Sequence, residues 1–358
     1  MTSAKSSLHH IVLACALTTA LSATAAHAQT SGVTAGDAQR TTLHGFADVG
    51  YRTGGRHTGR TSGFSLGQLD LFLTSQLTER ISFLSESVFE YEDETNEFHV
   101  DVERVIVQFA VNEHFRLNAG KMHTPLGYWS NAFHHGLVIQ PTITRPQVVQ
   151  FEETGGPLPI HTLGVQLSGR DLGEAHLGFD VLLGNGRGNR ASPDGRNDAQ
   201  ALAVSLHSQL TSSLRVGVSG YRDRVAVGSP NARGNVTESA IVQTISGGFL
   251  SYFGDRAQAV LEGHRVANAT LGHTTTSPGW FGYAGWRLGE RLVPYAVHDE
   301  LTLASDDPYF EAGRTRREIL GMRHELASTV VSKLELRSVD HRGLPRATEL
   351  AAQLAIAF

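Results

Sequence analysis

Apolar and polar residues alternate strictly over the end of the chain. The apolar positions are Leu350, Ala352, Leu354, Ile356 and Phe358. Gln353 and small alanines lie between them. A period of two residues predicts a β-strand, and one apolar face opposite a polar one is typical of a wall between lipid and water.

The same period recurs in sixteen segments that are bounded by turn residues. They begin near residues 42, 65, 80, 101, 114, 161, 174, 200, 213, 242, 256, 278, 291, 315, 330 and 348. Sixteen is an even number, as a closed antiparallel barrel with both ends on one side of a membrane requires. We therefore predict an all-β fold, a 16-stranded antiparallel transmembrane β-barrel, over residues 42–358.

The connections between these segments alternate between tight turns and longer polar loops. The longer ones lie around 52–64, 92–100, 123–160, 185–199, 224–241, 267–277, 302–314 and 341–347. This alternation is typical of short periplasmic turns and long extracellular loops, and a soluble β-sandwich has no reason to show it.

Two predicted strands show their faces clearly. In the fourth, Val105, Val107 and Phe109 are expected to face lipid, while Arg104 and Gln108 face the lumen. In the fifteenth, Ser332, Leu334 and Leu336 are opposed by Lys333, Glu335 and Arg337. The third is ambiguous, because phenylalanines share one face with serines and glutamates share the other with Leu84 and Val88.

Charge is expected on the lumen face. The residues concerned are Arg104, Arg116, Arg170, Arg215, Arg287, Arg323 and Arg337, with Asp70, Asp180, Glu262, Glu325 and Glu335. Walls of opposite sign create a transverse field that favours small hydrated solutes over apolar ones. The alternative is that these charges form lateral salt bridges that only hold the wall together.

The amino-terminal residues predict export. Lys5 precedes an apolar run over 11–21, and the small residues around His27 suit a signal peptidase, so residues 1–28 are expected to be a signal peptide. Residues 29–41 would then form a short periplasmic segment, and the location would be the bacterial outer membrane. Cleavage removes Cys15, the single cysteine, so no disulfide is expected.

Composition narrows the class further. No later segment approaches the roughly 18–20 consecutive apolar residues of a membrane helix, so a membrane protein of this sequence must cross with strands. The mature chain would carry a net charge of −6, which argues against nucleic acid as a partner. Its basic residues are arginines except for Lys121 and Lys333.

The longest connection, residues 123–160, differs in composition from a disordered loop. It contains five prolines and many apolar residues, which predicts a packed loop. The aqueous bore of a barrel is the obvious place to bury it, where it would narrow the channel. The alternative is packing over the outside or on a neighbouring subunit.

The stretch GKMHTPLGYW, residues 120–129, resembles the Gly-basic-x-x-x-Pro-[Phe/Leu]-Gly signature of the phosphate-selective porin (porin O and P) superfamily. The matching residues are Gly120, Lys121, Pro125, Leu126 and Gly127. The resemblance implies an outer-membrane general or solute-selective porin, often trimeric, with its third loop folded into the pore. Phosphate selectivity in that superfamily rests on a cluster of lysines, which this chain lacks.

Histidines concentrate in or beside the long connection: His123, His134, His135 and His161. Their spacing fits no standard zinc pattern, and adjacent histidines rarely chelate one ion together. Hydrogen bonding to the loop backbone and aromatic packing are therefore the expected roles, and no metal or cofactor is assigned.

Together these patterns predict a porin for passive diffusion of small polar solutes and ions, without catalytic residues. The residues expected in or near the constriction and on its wall are Lys121, His134, His135, Arg145, Glu152, Arg104, Arg116, Arg323 and Arg337. The alternative within this class is an anion- or phosphate-selective porin. Alternatives from other classes are an outer-membrane barrel enzyme, for which no catalytic constellation is recognisable, and an adhesive barrel. Expected partners are outer-membrane lipids, the solutes, the barrel-assembly machinery through Phe358, and two further copies in a homotrimer.

Overall fold

A computed structural model describes residues 40–53, 62–92, 97–134, 136–187 and 199–358. The predicted signal peptide, residues 29–39 and His135 lie outside the described residues, so the predictions about them are not tested. The strands are β1 (Arg40–Arg52), β2 (Gly63–Gln76), β3 (Ile81–Glu92), β4 (Glu97–Ala110), β5 (Phe115–His123), β6 (His161–Leu172), β7 (Leu177–Gly184), β8 (Ala201–Gln209), β9 (Leu214–Val225), β10 (Ile241–Phe253), β11 (Ala257–Thr270), β12 (His273–Trp286), β13 (Leu292–Leu303), β14 (Gly313–Ala327), β15 (Val330–His341) and β16 (Ala347–Ala357).

The sixteen strands form a closed barrel in which each strand pairs antiparallel with its sequence neighbours. Closure comes from β1 and β16, whose register runs from Phe46 opposite Ala357 to Arg52 opposite Ala351. Closure leaves no unpaired strand edge, as a spanning sheet requires. The predicted fold class is confirmed. No helix in the described part of the chain is both long enough and apolar enough to span a bilayer.

Side chains alternate between the two faces of the wall as the sequence pattern predicts. On β16, Leu350 and Leu354 are exposed on the outer face, whereas Ala351 and Ala355 are buried on the inner face. β3, which was ambiguous, places Glu86 and Val88 in its buried inward row. Small serines between the outward phenylalanines of β3 leave the lipid-facing pattern weak there, which is why its sequence did not decide the faces.

One connection differs from the prediction. The polar connection expected around 267–277 is absent from the described structure, because β11 and β12 continue toward each other and pair up to Thr270 opposite His273. Only Leu271 and Gly272 remain in the turn, and Gly272 has a φ of 83°. A glycine accepts this left-handed backbone without the steric cost of a side chain, which is why two residues suffice.

The connection from β5 to β6, residues 124–160, is the long loop. It contains one short helix, α1 (Trp129–Ala132), and single 3₁₀ turns at Gln147–Val149 and Glu152–Thr154. Trp129 is fully buried, and its ring meets Phe133 and Phe281 edge-on at centroid distances of 5.0 and 5.2 Å. The apolar residues of the loop therefore form a core together with inward side chains of the wall.

Candidate functional site

Carboxylates on the inner face of the wall hold the backbone of the long loop. Glu262 on β11 accepts hydrogen bonds from the amides of Tyr128 and Trp129 at 3.0 and 2.9 Å. Glu335 on β15 accepts the amides of Ile143 and Thr144 at 2.7 and 3.2 Å. Both carboxylates are almost fully buried, and such charges need partners of this kind to offset their lost hydration.

Asp299 on β13 holds a third point of the same loop. It accepts the amide of Gln147, with its closer oxygen at 3.0 Å, and it forms a buried ion pair with Arg317. Arg317 in turn donates to the carbonyl of Arg145 at 2.7 Å. Asp299 and Arg317 were not among the predicted site residues, and their spacing in the sequence gives no signal of this arrangement.

Cationic side chains of the wall bind carbonyl oxygens of the long loop. Lys333 on β15 donates to the carbonyl of Leu137 at 2.6 Å, and Arg323 on β14 donates to the carbonyl of Gln140 at 3.1 Å. The long loop therefore lies against the inner face of the wall from β11 to β15. Arg323 and Lys333 serve this attachment rather than facing open water.

Two glycines of the GKMHTPLGYW stretch occupy positions where a side chain does not fit. Gly120 has a φ of 135°, and an added Cβ would lie 1.9 Å from the carbonyl oxygen of Val105. Gly127 has a φ of 70°, and an added Cβ would lie 1.8 Å from the Glu262 carboxylate. Leu126 between them is buried in the core. The motif thus turns the chain off β5 and brings it close to Glu262.

Arg145 is a support inside the long loop. Its guanidinium donates to the carbonyls of Val149 and His134 and to the Ser130 hydroxyl, and it lies over the Phe151 ring at 4.3 Å. Burial lowers its pKa to about 10, so it stays charged at neutral pH. Arg145 was predicted near or in the constriction, and its charged group lies within the fold of the long loop.

An arginine-lined cavity of about 330 Å³ lies between the long loop and the opposite wall, β4 to β10. Its charged lining consists of Arg104, Arg116, Arg170, Arg215 and Asp180. Arg170 pairs with Asp180 at 2.8 Å, whereas Arg116 and Arg215 form no ion pair with any residue that the structure describes. The cavity therefore has a net positive lining on one side and the loop on the other.

Arg104 forms an ion pair across neighbouring strands with Glu86, which is fully buried on β3. Its guanidinium also lies 5.5 Å from the centre of the Phe72 ring. Arg104 and Arg116 were predicted wall residues, and the structure places both in the arginine-lined cavity. Glu86, whose pairing reduces the charge that Arg104 presents, was not among the predicted site residues.

A second cavity of about 530 Å³, the outer vestibule, lies toward the long-loop end of the barrel. Lys121, Asp101, Glu152 and Glu153 contribute to its lining. The Lys121 ammonium donates to the carbonyl of Val102 at 2.6 Å and lies 3.5 Å from Asp101. The vestibule therefore carries more acidic groups than the arginine-lined cavity.

Glu152 pairs with Arg187 at 2.7 Å, and Arg187 also binds the carbonyl of Pro157 at 2.7 Å. Burial by itself lowers the pKa of Arg187, but the Glu152 carboxylate together with Tyr309 and Tyr221 outweighs burial and raises it. This pair ties the end of the long loop to the segment that follows β7.

A histidine cluster lies where the two cavities approach each other. His123 borders the arginine-lined cavity and His161 borders the outer vestibule. His134 of the long loop lies between them, with its Nε2 3.0 Å from Nε2 of His161. Glu103 on β4 approaches the same atoms, at 2.9 Å from His161 and 3.9 Å from His134. The sequence places these histidines in or beside the loop, but neither their mutual contact nor the contribution of Glu103 was predicted.

The remaining predicted residue, Arg337, pairs with Glu335 at 2.8 Å. The predicted residues therefore fall into separate groups. Arg104 and Arg116 line the arginine-lined cavity, Lys121 and Glu152 line the outer vestibule, and His134 belongs to the histidine cluster. Arg145, Arg323 and Arg337 belong to the loop and its attachment, and His135 lies outside the described residues.

A closed 16-stranded antiparallel barrel, whose third long connection is packed against the inner wall, has the porin fold. Comparison with solved structures agrees. The chain is similar to an anion-selective porin from Comamonas acidovorans, with a TM-score of 0.64 and 13% identity, over 90% of this chain and 100% of that one. It is also similar to OmpT, an outer membrane protein of Vibrio cholerae, in its trimer form, with a TM-score of 0.63 and 10% identity over 90% and 100% of the two chains. OmpF of Salmonella typhi, in complex with daunomycin, has a TM-score of 0.61 and 10% identity over 89% and 97%. No protein-family model matches the sequence, and no curated protein matches it significantly.

Proposed function

We propose that this protein is an outer-membrane porin through which small polar solutes and ions diffuse passively. The observation that carries the proposal is the arginine-lined cavity between the long loop and the opposite wall. A closed strand wall with an apolar outside separates this polar space from lipid. A polar, charged constriction lets hydrated solutes pass and disfavours apolar ones. The role needs neither a catalytic residue nor a cofactor.

A preference for anions is the finer form of this proposal. Arg116 and Arg215 have no acidic partner among the described residues, and Asp180 is already engaged by Arg170. Planar guanidinium groups bind carboxylates and phosphates with paired hydrogen bonds, so the lining favours anions without requiring lysines. The resemblance of the 120–129 stretch to phosphate-selective porins supports the same direction, although the lysine cluster of that superfamily is missing. We therefore propose general anion preference rather than phosphate specificity.

The decisive experiment is single-channel recording in a planar bilayer with a salt gradient. The wild type is expected to conduct steadily, with a reversal potential on the anion-selective side. Replacing both of these arginines, in the double variant Arg116→Gln with Arg215→Gln, should move the reversal potential toward the cation-selective side, because it removes two positive charges from the lining.

The matched control is Arg265→Gln, which removes a positive charge from an exposed residue in the outward row of β11, where its guanidinium donates to the Thr276 hydroxyl. This variant should leave the reversal potential unchanged. A cation-selective wild type would contradict the anion preference, and a folded barrel that passes no current would contradict the porin and favour an enzyme or an adhesive barrel.

Location and assembly belong to the same proposal. We infer a bacterial outer-membrane protein, exported through a cleaved signal peptide, that contacts lipid, reaches the barrel-assembly machinery through Phe358 and forms a homotrimer. The trimer is supported by the likeness in fold to OmpT in its trimer form. Amino-terminal sequencing of the membrane-extracted protein and unheated gel electrophoresis after cross-linking test these statements. A mature chain that starts at Gln29 and a species three times the monomer mass are the expected results.

A further inference from the structure

The histidine cluster brings together side chains from four separate parts of the chain. Glu103 comes from β4, His123 from the end of β5, His134 from the long loop and His161 from the start of β6. The three imidazoles offer nitrogen atoms that lie within 4.8 Å of one another. The fold places these groups together, since no regular sequence spacing does.

The geometry points to a metal site. We propose that Glu103, His123, His134 and His161 bind a divalent transition-metal ion, with Zn²⁺ as the reference ion. Three imidazole nitrogens and one carboxylate are a donor set that Zn²⁺ accepts, with metal–nitrogen distances of about 2.0–2.1 Å. In a tetrahedral site of that size, donor atoms are separated by about 3.3 Å. The contacts of 2.9, 3.0 and 3.9 Å among Glu103, His134 and His161 already bracket this separation.

Ring orientation is compatible with a shared ion. The ring planes of His134 and His161 are almost perpendicular, at 89° and 4.7 Å between centroids. His123 is tilted by 47° to His134 with centroids 4.0 Å apart. Rings that converge from different directions present their nitrogens to one point, whereas parallel stacked rings do not. On this proposal, side-chain rotations would bring the nitrogen of His123, which lies within 4.8 Å of those of His134 and His161, to bonding distance.

The surroundings favour a bound cation at this place. Glu103 is only 4% exposed, so its negative charge is poorly hydrated and gains from a nearby cation. Arg104, the neighbouring positive charge on β4, is neutralised by its pair with Glu86. The carbonyl of His134 is held by Arg145 at 3.0 Å, which fixes the backbone that carries the central ligand. Support of ligands by such outer contacts is typical of metal centres.

An ion can reach the cluster from water on both sides, because His161 borders the outer vestibule and His123 borders the arginine-lined cavity. A bound Zn²⁺ would add two positive charges where the cavities approach each other. On the proposed function, occupancy would therefore lower conductance to cations and strengthen anion preference. Metal binding by itself does not depend on that function.

Binding is tested on the purified full-length barrel in detergent by titration calorimetry with Zn²⁺ and by the visible spectrum of added Co²⁺. One ion per chain and the intense bands of tetrahedral Co²⁺ are expected. His134→Gln and His161→Gln, made separately, should each weaken Zn²⁺ binding about tenfold or more, since loss of even an outer contact weakens metal affinity by about 10–100-fold. His324→Gln, which changes an exposed histidine in the outward row of β14, is the control and should bind as the wild type does. Unheated electrophoresis verifies that each variant is folded.

Equal Zn²⁺ binding by the wild type and both folded ligand variants would overturn the proposal, as would the absence of binding by the wild type. A bilayer recording separates this inference from the proposed function. A wild type that conducts but binds no Zn²⁺ overturns the metal site alone. A wild type that binds Zn²⁺ through these histidines but passes no current supports the metal site and overturns the porin. A reversal potential that moves toward anions on Zn²⁺ addition and returns with a chelator supports both.

Discussion

At the scale of single residues, several inward carboxylates hold the chain rather than attract solutes. Glu262 and Glu335 each accept two backbone amides of the long loop, and Asp299 accepts one more. A hydrogen bond to a charged group contributes about 1.5–3 kcal/mol, and leaving such a buried group without a partner costs more. These acids therefore fix the position of the loop. Arg116 and Arg215 on the opposite wall, which form no ion pair with a described residue, are left to set the charge of the cavity.

Gly127 is the residue at which this attachment is most sensitive to substitution. Gly127→Ala should destabilise the folded barrel by more than the about 1–2 kcal/mol that a left-handed residue costs, because the new Cβ also displaces the Glu262 carboxylate. Gly155→Ala is the matched control, since Gly155 has a φ of 92° in the same loop but open space around its Cβ position.

Urea unfolding of both variants in lipid vesicles, followed by tryptophan fluorescence, measures the difference. The fully buried Trp129 lies two residues from Gly127, so its part of the emission reports on the loop, whereas the other two tryptophans, Trp280 and Trp286, are exposed on β12. Equal loss of stability in the two variants would show that Glu262 moves aside without cost, and the close contact at Gly127 would then have no structural importance.

At the scale of elements, the local sequence determines where the strands lie, whereas contacts with the barrel wall determine the conformation of the long loop. Strand boundaries lie close to the positions expected from the period of two, as β6, which begins at His161, and β15, which begins at Val330, illustrate. The hairpin of β11 and β12 is the exception, because its threonines and serine were assigned to a polar loop. Threonine favours strands on a pleated surface, and pairing across the two strands outweighed polarity.

Removal of the long loop gives the prediction for this scale. Deleting residues 128–150 should increase single-channel conductance several-fold, because the deleted segment lies against the inner face of β11 to β15. Wall acids such as Glu262 and wall cations such as Arg323 and Lys333 both lose their loop partners in this deletion, so it tests the width of the pore rather than its ion preference.

Deletion of residues 343–345 in the connection from β15 to β16 is the control for this experiment. This segment forms no hydrogen bond with the inner carboxylates in the described structure, so the conductance should stay at the wild-type value. An unchanged conductance after deletion of 128–150, in a protein that still migrates as a folded barrel, would place the loop outside the path of ions.

At the scale of the whole molecule, the outer face of the barrel wall is suited to lipid and the inner face to water. Neighbouring residues on β4 test this division. Val107 is exposed on the outer face, and Gln108 lines the arginine-lined cavity. Val107→Arg should destabilise the membrane-inserted barrel by up to about 2–4 kcal/mol, the cost of arginine where a lipid-facing wall crosses the middle of the bilayer.

The adjacent change Gln108→Arg is the matched comparison, because it adds the same side chain one position further along. It should leave the fraction of folded barrel close to the wild-type value and strengthen anion preference in bilayer recordings. The folded fraction is measured from the heat-dependent mobility of vesicle-inserted protein. Equal destabilisation by both substitutions would mean that the two faces of the wall do not differ in environment.

The sequence by itself determined the class of fold, because consecutive residues of each strand alternate between the lipid-facing and the lumen-facing side of the wall. The alternation on β16 and the polar row of β15 predicted which side chains face inward, and the structure agrees. Local patterns of this kind are sufficient to predict which way a side chain faces wherever its environment depends only on its own strand and the next one.

Only the tertiary structure decided which inward charges face open water and which are used for attachment. Arg116 and Arg323 look alike in sequence, yet one lines the arginine-lined cavity and the other binds a loop carbonyl. The contact between Glu103 and His134 was likewise not predictable from the sequence. These contacts join residues far apart in the chain. They exist because the closed barrel encloses a small space that contains the long loop. The buried backbone groups of this loop need hydrogen-bond partners, and side chains from several strands provide them.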